Sequence, residues 1–295
     1  GNSTKTANSA LRNAGSRFGV KVKHNLDNDF YALGNLELRF DDTTSRDKFG
    51  GAYAKRAYVG LGSQSVGEIK FGRQLTIADD LSQANDYEYG FIPKGDYIPT
   101  SGTGVVRYDY KGIEGLQLSA NYNFGQRHND KGRALPVGLK NAFGFGALYT
   151  AGDLDARFAY GHTSFETDAS YKHRVDGFLA SLGYKFGDFK LTGDFGYAHV
   201  KKDSDKTNKF YVSPGFAYQV TPASQVYGNY LYERVKGEAD KDKTHGFLLG
   251  ADYKLHKQVV LFVEGKYVTT KEYVNDSYDG KTKDRAIGVG MRVFF

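Results

Sequence analysis

The sequence predicts an all-β chain, a transmembrane antiparallel up-and-down β-barrel of about sixteen strands, fifteen of them visible, and three observations carry that expectation. Segments of period 2, rich in aromatic and β-branched residues and bounded by turn residues, recur from end to end. Their connectors alternate strictly between short and long, as they do when tight turns occupy one rim of a barrel and loops the other. Mean hydropathy is −0.55 and no apolar run approaches the length of about 18 residues that a spanning helix needs. A barrel strand needs only about 9–11 residues with every second one apolar, so the membrane stays open to strands.

The strands are expected at 16–24, 30–40, 52–61, 66–73, 104–111, 116–125, 141–150, 154–163, 174–186, 189–200, 209–220, 225–235, 246–256, 258–270 and 283–295, with no convincing helix. Short connectors fall at 25–29, 62–65, 112–115, 151–153, 187–188, 221–224 and 257. Long charged ones fall at 41–51, 74–103, 126–140, 164–173, 201–208, 236–245 and 271–282. The polar, irregular residues 1–15 read as a further long-rim loop. Bacterial barrels close with an even number of strands, so one strand is expected to precede them and to pair with the last. Gly1 to Lys5 lacks the apolar core of a signal peptide, which suits a mature or trimmed chain.

Residues 1–295 are read as one barrel, a length that β-barrels reach as single units. The face pattern addresses the solvent. Leu116, Leu118, Ala120, Tyr122 and Phe124 alternate with Gln117, Ser119, Asn121 and Asn123, a pattern that one soluble strand could also show. Phe178 to Phe186 and Ile287 to Phe295 repeat it with aromatics at strand ends, where the interfacial girdles of a membrane barrel lie. The opposite faces carry glycine and small polar residues, too small to fill a dry core. Pro214 lies inside a strand pattern, where it removes a ladder donor, and a bulge at Pro214-Gly215 is expected.

The insertion 74–103 breaks the rhythm. Long connectors without periodicity inside compact domains are usually functional. It carries Asp79, Asp80, Asp86, Glu88 and Asp96 with Pro93 and Pro99, and is expected to fold into the lumen and to set the width and charge of a pore. Parity puts Arg17, Lys21, Lys23, Arg39, Arg56, Arg107, Arg157, Lys190 and Arg292 on lumen faces, because a lipid-facing Arg or Lys at the midplane costs roughly 2–4 kcal/mol. Many of these could equally keep the wall wetted near the rims.

Several stretches resemble the Gram-negative general diffusion porins, most nearly the major trimeric outer-membrane porin of Haemophilus- and Pasteurella-type bacteria. They are Ala10 to Phe18, Gly67-Glu68-Ile69-Lys70-Phe71-Gly72-Arg73, Asp96 to Gly102, Tyr211 to Phe216, Leu255 to Gln258 and Gly288 to Phe295. The resemblance implies an outer-membrane homotrimer in lipid bilayer and lipopolysaccharide. It also implies a third loop folded inward, and an eyelet with a basic wall facing acids on that loop. Arg17 and Arg73 match the basic wall. Strict alternation would turn Arg73 outward with Ile69 and Phe71, unless Gly72 lets the strand twist. Asp79, Asp80, Asp86 and Glu88 are the acidic candidates.

The chain has 40 Lys and Arg against 34 Asp and Glu, a net charge of +6, but the bases are interleaved with acids throughout, so no nucleic-acid partner is expected. Seven histidines show no ligand spacing, no Gly-x-Ser-x-Gly elbow occurs and cysteine is absent. No catalytic residue, metal or cofactor is therefore assigned, although Asp79 and Asp80 could in principle act as an acid/base pair. Passive diffusion of small hydrophilic solutes and ions is the leading expectation. A sugar- or nucleotide-specific channel comes next, then an outer-membrane hydrolase, then a soluble β-protein.

Overall fold

The computed structural model describes residues 17–40, 51–167 and 172–294. The expectations for residues 1–15 and for Phe295, and most of the 41–51 connector, lie outside these residues.

The strands are β1 (Arg17–Asn25), β2 (Phe30–Phe40), β3 (Ala52–Ser63), β4 (Gly67–Leu75), β5 (Ser101–Ile113), β6 (Leu116–Asn123), β7 (Gln126–His128) and β8 (Ala134–Ala151) in the first half. The second half holds β9 (Leu154–Phe165), β10 (His173–Phe186), β11 (Phe189–Lys202), β12 (Asp205–Thr221), β13 (Ser224–Lys236), β14 (Asp240–His256), β15 (Val259–Val274) and β16 (Ser277–Val293). All belong to one antiparallel sheet in chain order, with the short β7 off the path and paired only to β8. The fifteen strands read from periodicity are the fifteen on the path, and β7 lies within a stretch that periodicity reads as loop. Among the described residues β1 and β16 are the two edges and do not pair with each other.

The connector lengths need correction. The stretches at 201–208, 236–245 and 271–282 are not loops but the tops of tall hairpins: β11 runs to Lys202 before β12 starts at Asp205, and β15 runs to Val274 before β16 starts at Ser277. Asn275 and Asp276 take φ of 49° and 62°, the left-handed pair that a two-residue hairpin turn requires and that Asn and Asp tolerate. Pro214 is also accommodated differently. Pairing with β11 is unbroken, Gly193 opposite Pro214, and the β13 ladder skips Ser213 and Pro214 without a register change. The missing N–H therefore falls on the β13 side and no bulge forms; the shift in that pair lies at Gln219/Thr221.

Alternation places large apolar side chains in the open on one face: Val59 is 63% exposed, Phe145 51%, Leu249 62% and Ile287 84%. A continuous apolar surface of that extent is untenable in water and suits lipid. The other face curls around the insertion. That segment leaves β4 and returns to β5, yet it touches β9, β13, β15 and β16, which a sheet of this order permits only when it closes round on its inner face.

Candidate functional site: the inward loop and the wall opposite it

Strands β4 and β5 extend further than periodicity suggests, so the inward loop is 76–100 rather than 74–103, with short 3-10 turns at Ile77–Asp80 and Lys94–Asp96. Its base is tied by Thr76, whose N–H donates to Thr100 O at 2.8 Å and whose hydroxyl donates to Pro99 O at 2.7 Å.

The buried core lies between this loop and the barrel wall. Ile77, Ala78, Leu81, Phe91, Tyr97 and Ile98 of the loop pack on Ala159, Val175, Leu179, Ala198, Tyr211, Tyr227, Leu231 and Leu248 of β9 to β14. Small residues on the wall make the fit possible. A Cβ on Gly146 would lie 2.9 Å from Ile77 Cγ2, one on Gly161 would lie 2.6 Å from Ile98 Cγ2, and one on Gly177 would meet the Tyr97 carbonyl. The glycine-rich lumen face is thus the bed on which the loop lies flat.

Wall carboxylates hold it there. Asp194 accepts from the Ser82 hydroxyl at 2.6 Å and from the Gln83 N–H at 3.1 Å. Glu264, fully buried, accepts the Tyr87 N–H on both oxygens and the Tyr227 hydroxyl at 2.8 Å. Asp252 accepts the Tyr87 hydroxyl and Glu233 the Tyr97 hydroxyl, each at 2.7 Å. Burial, then the hydrogen bond to Asp252, raises the Tyr87 phenol; burial, then Glu233, raises that of Tyr97, so both stay protonated donors. From the wall, Arg157 donates to Asp80 O at 2.6 Å and Arg292 to Tyr87 O.

The face opposite the loop is basic. Arg17, Lys21, Arg39, Arg56, Lys70 and Arg107, with Asn35, Glu37, Tyr58 and Gln74, line one concavity on β1 to β5. Five of the six wall bases expected from parity and resemblance meet there. Arg73 does not. Gly72 has a φ of +132°, yet β4 keeps its alternation, because the extra residue of the β4–β5 shift lies on β5; Gln74, like Lys70, lines the concavity, and Arg73, opposite Ala57, donates to Ala54 O at 2.6 Å and Asp130 O at 3.4 Å. Lys70, which parity favours, stands in the wall instead. Like charges lie directly opposite across the ladder, Arg17 by Arg39 and Lys70 by Arg107. Acids between them relieve the repulsion: Glu37 sits 3.6 Å from Arg17 and 3.2 Å from Arg39, and Asp109 sits 3.2 Å from Lys70 and 3.1 Å from Arg107.

The four acidic candidates divide. Asp79 and Asp80 occupy the first 3-10 turn. Asp79 lies 3.6 Å from Lys94. Burial raises the Asp80 carboxyl from its ordinary value, opposed by Arg107 and Arg157. Among the described residues no ion pair joins either acid to the concavity's bases. Asp86 instead turns its carboxylate onto the N–H groups of Glu88, Tyr89 and Phe91, shaping the loop tip, and the exposed Glu88 lies over Gly288 of β16. Sequence reasoning passed over Lys70, Glu37, Asp109, Asp194, Glu233 and Glu264, though each is an ionisable residue on the lumen parity of its strand, which was the available signal. Among the described residues no three His, Asp or Glu side chains gather as metal ligands.

The Gram-negative porin family profile matches residues 1–290. A major outer membrane protein of Pasteurella multocida (strain Pm70) is 29% identical over 314 residues, spanning 97% of this chain and 86% of that protein. Among solved structures, the trimer form of OmpT, an outer membrane protein of Vibrio cholerae, superposes with a TM-score of 0.72 at 19% identity, covering 95% of this chain and 91% of OmpT. The anion-selective porin from Comamonas acidovorans gives 0.70 at 19% identity, covering 95% and 90%. With a lipid-facing sheet curled round a pinned loop and a family match over almost its whole length, the chain belongs to the Gram-negative porins and is an outer-membrane channel protein.

Proposed function

We propose that this porin is a general diffusion channel, passing small hydrophilic solutes and inorganic ions down their gradients, working as a homotrimer and catalysing no reaction. The observation that carries the reading is the concavity of β1 to β5 lined by Arg17, Lys21, Arg39, Arg56, Lys70 and Arg107, on the inner wall that the pinned loop bearing Asp79 and Asp80 leaves uncovered. Opposed charges across a narrow aqueous gap orient water and disfavour apolar solutes, and the excess of one sign biases ion choice. Six bases against Glu37 in the lining favour anions. The trimer form of OmpT and the anion-selective porin among the structural neighbours are consistent with both expectations.

A sugar-selective path would call for a run of lumen aromatics. In the lining Tyr58 is the aromatic residue, while Tyr97 of the loop and Tyr211 and Tyr227 of the wall are buried where the two pack together. The test is single-channel conductance with reversal potential in a planar bilayer. The expected result is an ohmic channel with modest anion preference at low salt. Saturable, sugar-blocked current would replace this reading with the substrate-specific one.

A further inference from the structure

Where the chain leaves β4 for the inward loop, it opens a notch in the wall. β4 pairs with β3 as far as Arg73 opposite Ala57, and with β5 as far as Leu75 opposite Ser101. Among the described residues, Ala52 to Arg56 of β3 are therefore in register with β2 alone. Uncovered strand edges are commonly blunted by a loop laid over them. Here the cover is the turn 129–133 between β7 and β8. Asn129 shapes it: its side-chain oxygen accepts the N–H groups of Lys131 and Arg133 at 2.9 and 3.0 Å, and its own N–H donates to Arg133 O at 2.8 Å. Arg73 spans the notch, one guanidinium nitrogen donating both to Ala54 O on β3 and to Asp130 O on the turn. The Lys131 ammonium lies 5.5 Å from the centre of the Tyr53 ring.

The turn also brings a carboxylate to the pore wall. Asp130 Oδ2 lies 2.8 Å from Lys55 Nζ and 4.0 Å from Arg56 Nη1, and Arg56 lines the basic concavity. A register shift presents both bases to it. Glu37 pairs with Arg56 and Leu38 with Ala54, which leaves Lys55 as the extra residue of a bulge, a device that re-aims a side chain. Glu37, opposite Arg56 across the ladder, is engaged by Arg17 and Arg39. Among the described residues, the carboxylate in ion-pair range of Arg56 is that of Asp130. Both side chains are largely withdrawn from solvent, where salt screens a charge pair least.

We propose that Asp130 is a selectivity-setting acid of the pore, held in place by the turn that seals the notch and acting through Lys55 and Arg56. It cancels part of the wall's positive charge at the concavity's edge nearest the long connectors. The inward loop and this turn then trim one basic wall from two sides, and the anion preference of the channel is what both leave over. The proposal rests on the diffusion-channel reading above.

Reversal potentials of the full chain in planar bilayers under potassium chloride gradients test it. Asp130→Asn keeps the size of the side chain and removes its charge. The chloride-to-potassium permeability ratio should rise about twofold at 0.01 M salt, where the screening length is about 30 Å, and far less at 1 M, where it is about 3 Å. Asp130→Glu should restore the wild-type ratio. Arg56→Gln should lower the ratio, and adding Asp130→Asn to it should raise the ratio by a smaller factor than in wild type, because paired charges are not additive. Should Asp130→Asn fail to refold, Lys55→Gln leaves the carboxylate in place and should move the ratio toward potassium. A ratio that neither variant moves at low salt overturns the proposal, as does a shift of equal size at both salts, which is the mark of a merely structural turn. Wild-type protein that never conducts overturns the channel reading, whereas an anion-preferring wild type whose ratio Asp130→Asn leaves unchanged overturns the role of Asp130 alone.

Discussion

The Tyr87 N–H, at the inward loop's far end, donates to both carboxylate oxygens of Glu264 on β15, at 2.8 and 3.0 Å. The two residues are 177 positions apart in sequence. Their contact joins a segment emerging between β4 and β5 to the far side of the barrel. On the channel reading proposed above, the pore lies on the loop's other side, toward β1 to β5.

Removing this anchor should loosen the constriction. Glu264→Ala leaves the Tyr87 N–H and the buried Tyr227 hydroxyl without their acceptor, and each unsatisfied buried donor costs about 1–3 kcal/mol. Thermal unfolding should shift downward and single-channel traces should become noisier. Glu264→Gln keeps an acceptor oxygen and should show a smaller effect. A quiet trace with an unchanged melting temperature in Glu264→Ala would show that the loop is held by its other contacts.

The wall glycines give a steric test. Gly161→Val places a branched side chain where Ile98 Cγ2 already lies only 2.6 Å from the position a Cβ would take. Overpacking of this kind costs about 1–3 kcal/mol, and the relief available to the loop is movement into the lumen. Conductance should fall. Gly104→Ala, whose Cβ would come no nearer than 3.8 Å to the Phe124 side chain, should leave conductance at the wild-type level and so controls for general strain.

What could be read from residues alone was whatever obeys the two-residue period. Phe178, Ala180 and Leu182 declare a face without help, and the fifteen path strands follow. The hairpin heights were hidden because the upper strands, such as Lys271 to Val274, lack a lipid-facing apolar row, so their alternation has no hydropathy contrast. Asn275-Asp276 was the missed cue there. Arg73 was misplaced because the resemblance was followed against parity: β4 keeps its alternation through Lys70, Gly72 and Gln74, and the extra residue at the β4–β5 shift lies on β5. Asp79 and Asp80 could be nominated from loop composition, but Asp86 could not be separated from them, since its role is set by the backbone N–H groups that its carboxylate meets. Glu264 escaped because its partner is a segment with no period at all.

Acid should reach Asp80 before it reaches an ordinary carboxylate. Burial raises its folded-state pKa above the usual value, so as pH falls Asp80 takes up its proton earlier than an unperturbed aspartate would. The loop then loses negative charge, and anion preference should rise at a higher pH than an unperturbed aspartate would give. Folding binds this proton more tightly, so ionised Asp80 is a destabilising element that acid relieves. Reversal potentials measured between pH 7 and pH 4 should show the shift in wild type and lose that portion of it in Asp80→Asn.

Charge substitutions on the two sides of the gap should move ion selectivity in opposite directions. Asp79→Asn with Asp80→Asn removes both carboxylates of the first 3-10 turn and should shift the reversal potential toward anions. Arg17→Ala should shift it toward cations, because the Arg17 side chain is half exposed and its contact with Glu37 is a loose 3.6 Å. Arg107→Ala is a poorer probe: its guanidinium holds both Asp109 oxygens at 3.1 Å and the Leu75 carbonyl, so its removal also disturbs the root of the loop. Because these charges act across water, the shifts should grow as salt is lowered, the screening length rising from about 10 Å at 0.1 M to about 30 Å at 0.01 M. Deleting the loop centre should enlarge the conductance and flatten both effects, since the acids go with the segment and the gap they span widens. Unchanged reversal potentials in all of these variants at low salt would place the loop outside the conduction path, whatever its contacts with the wall.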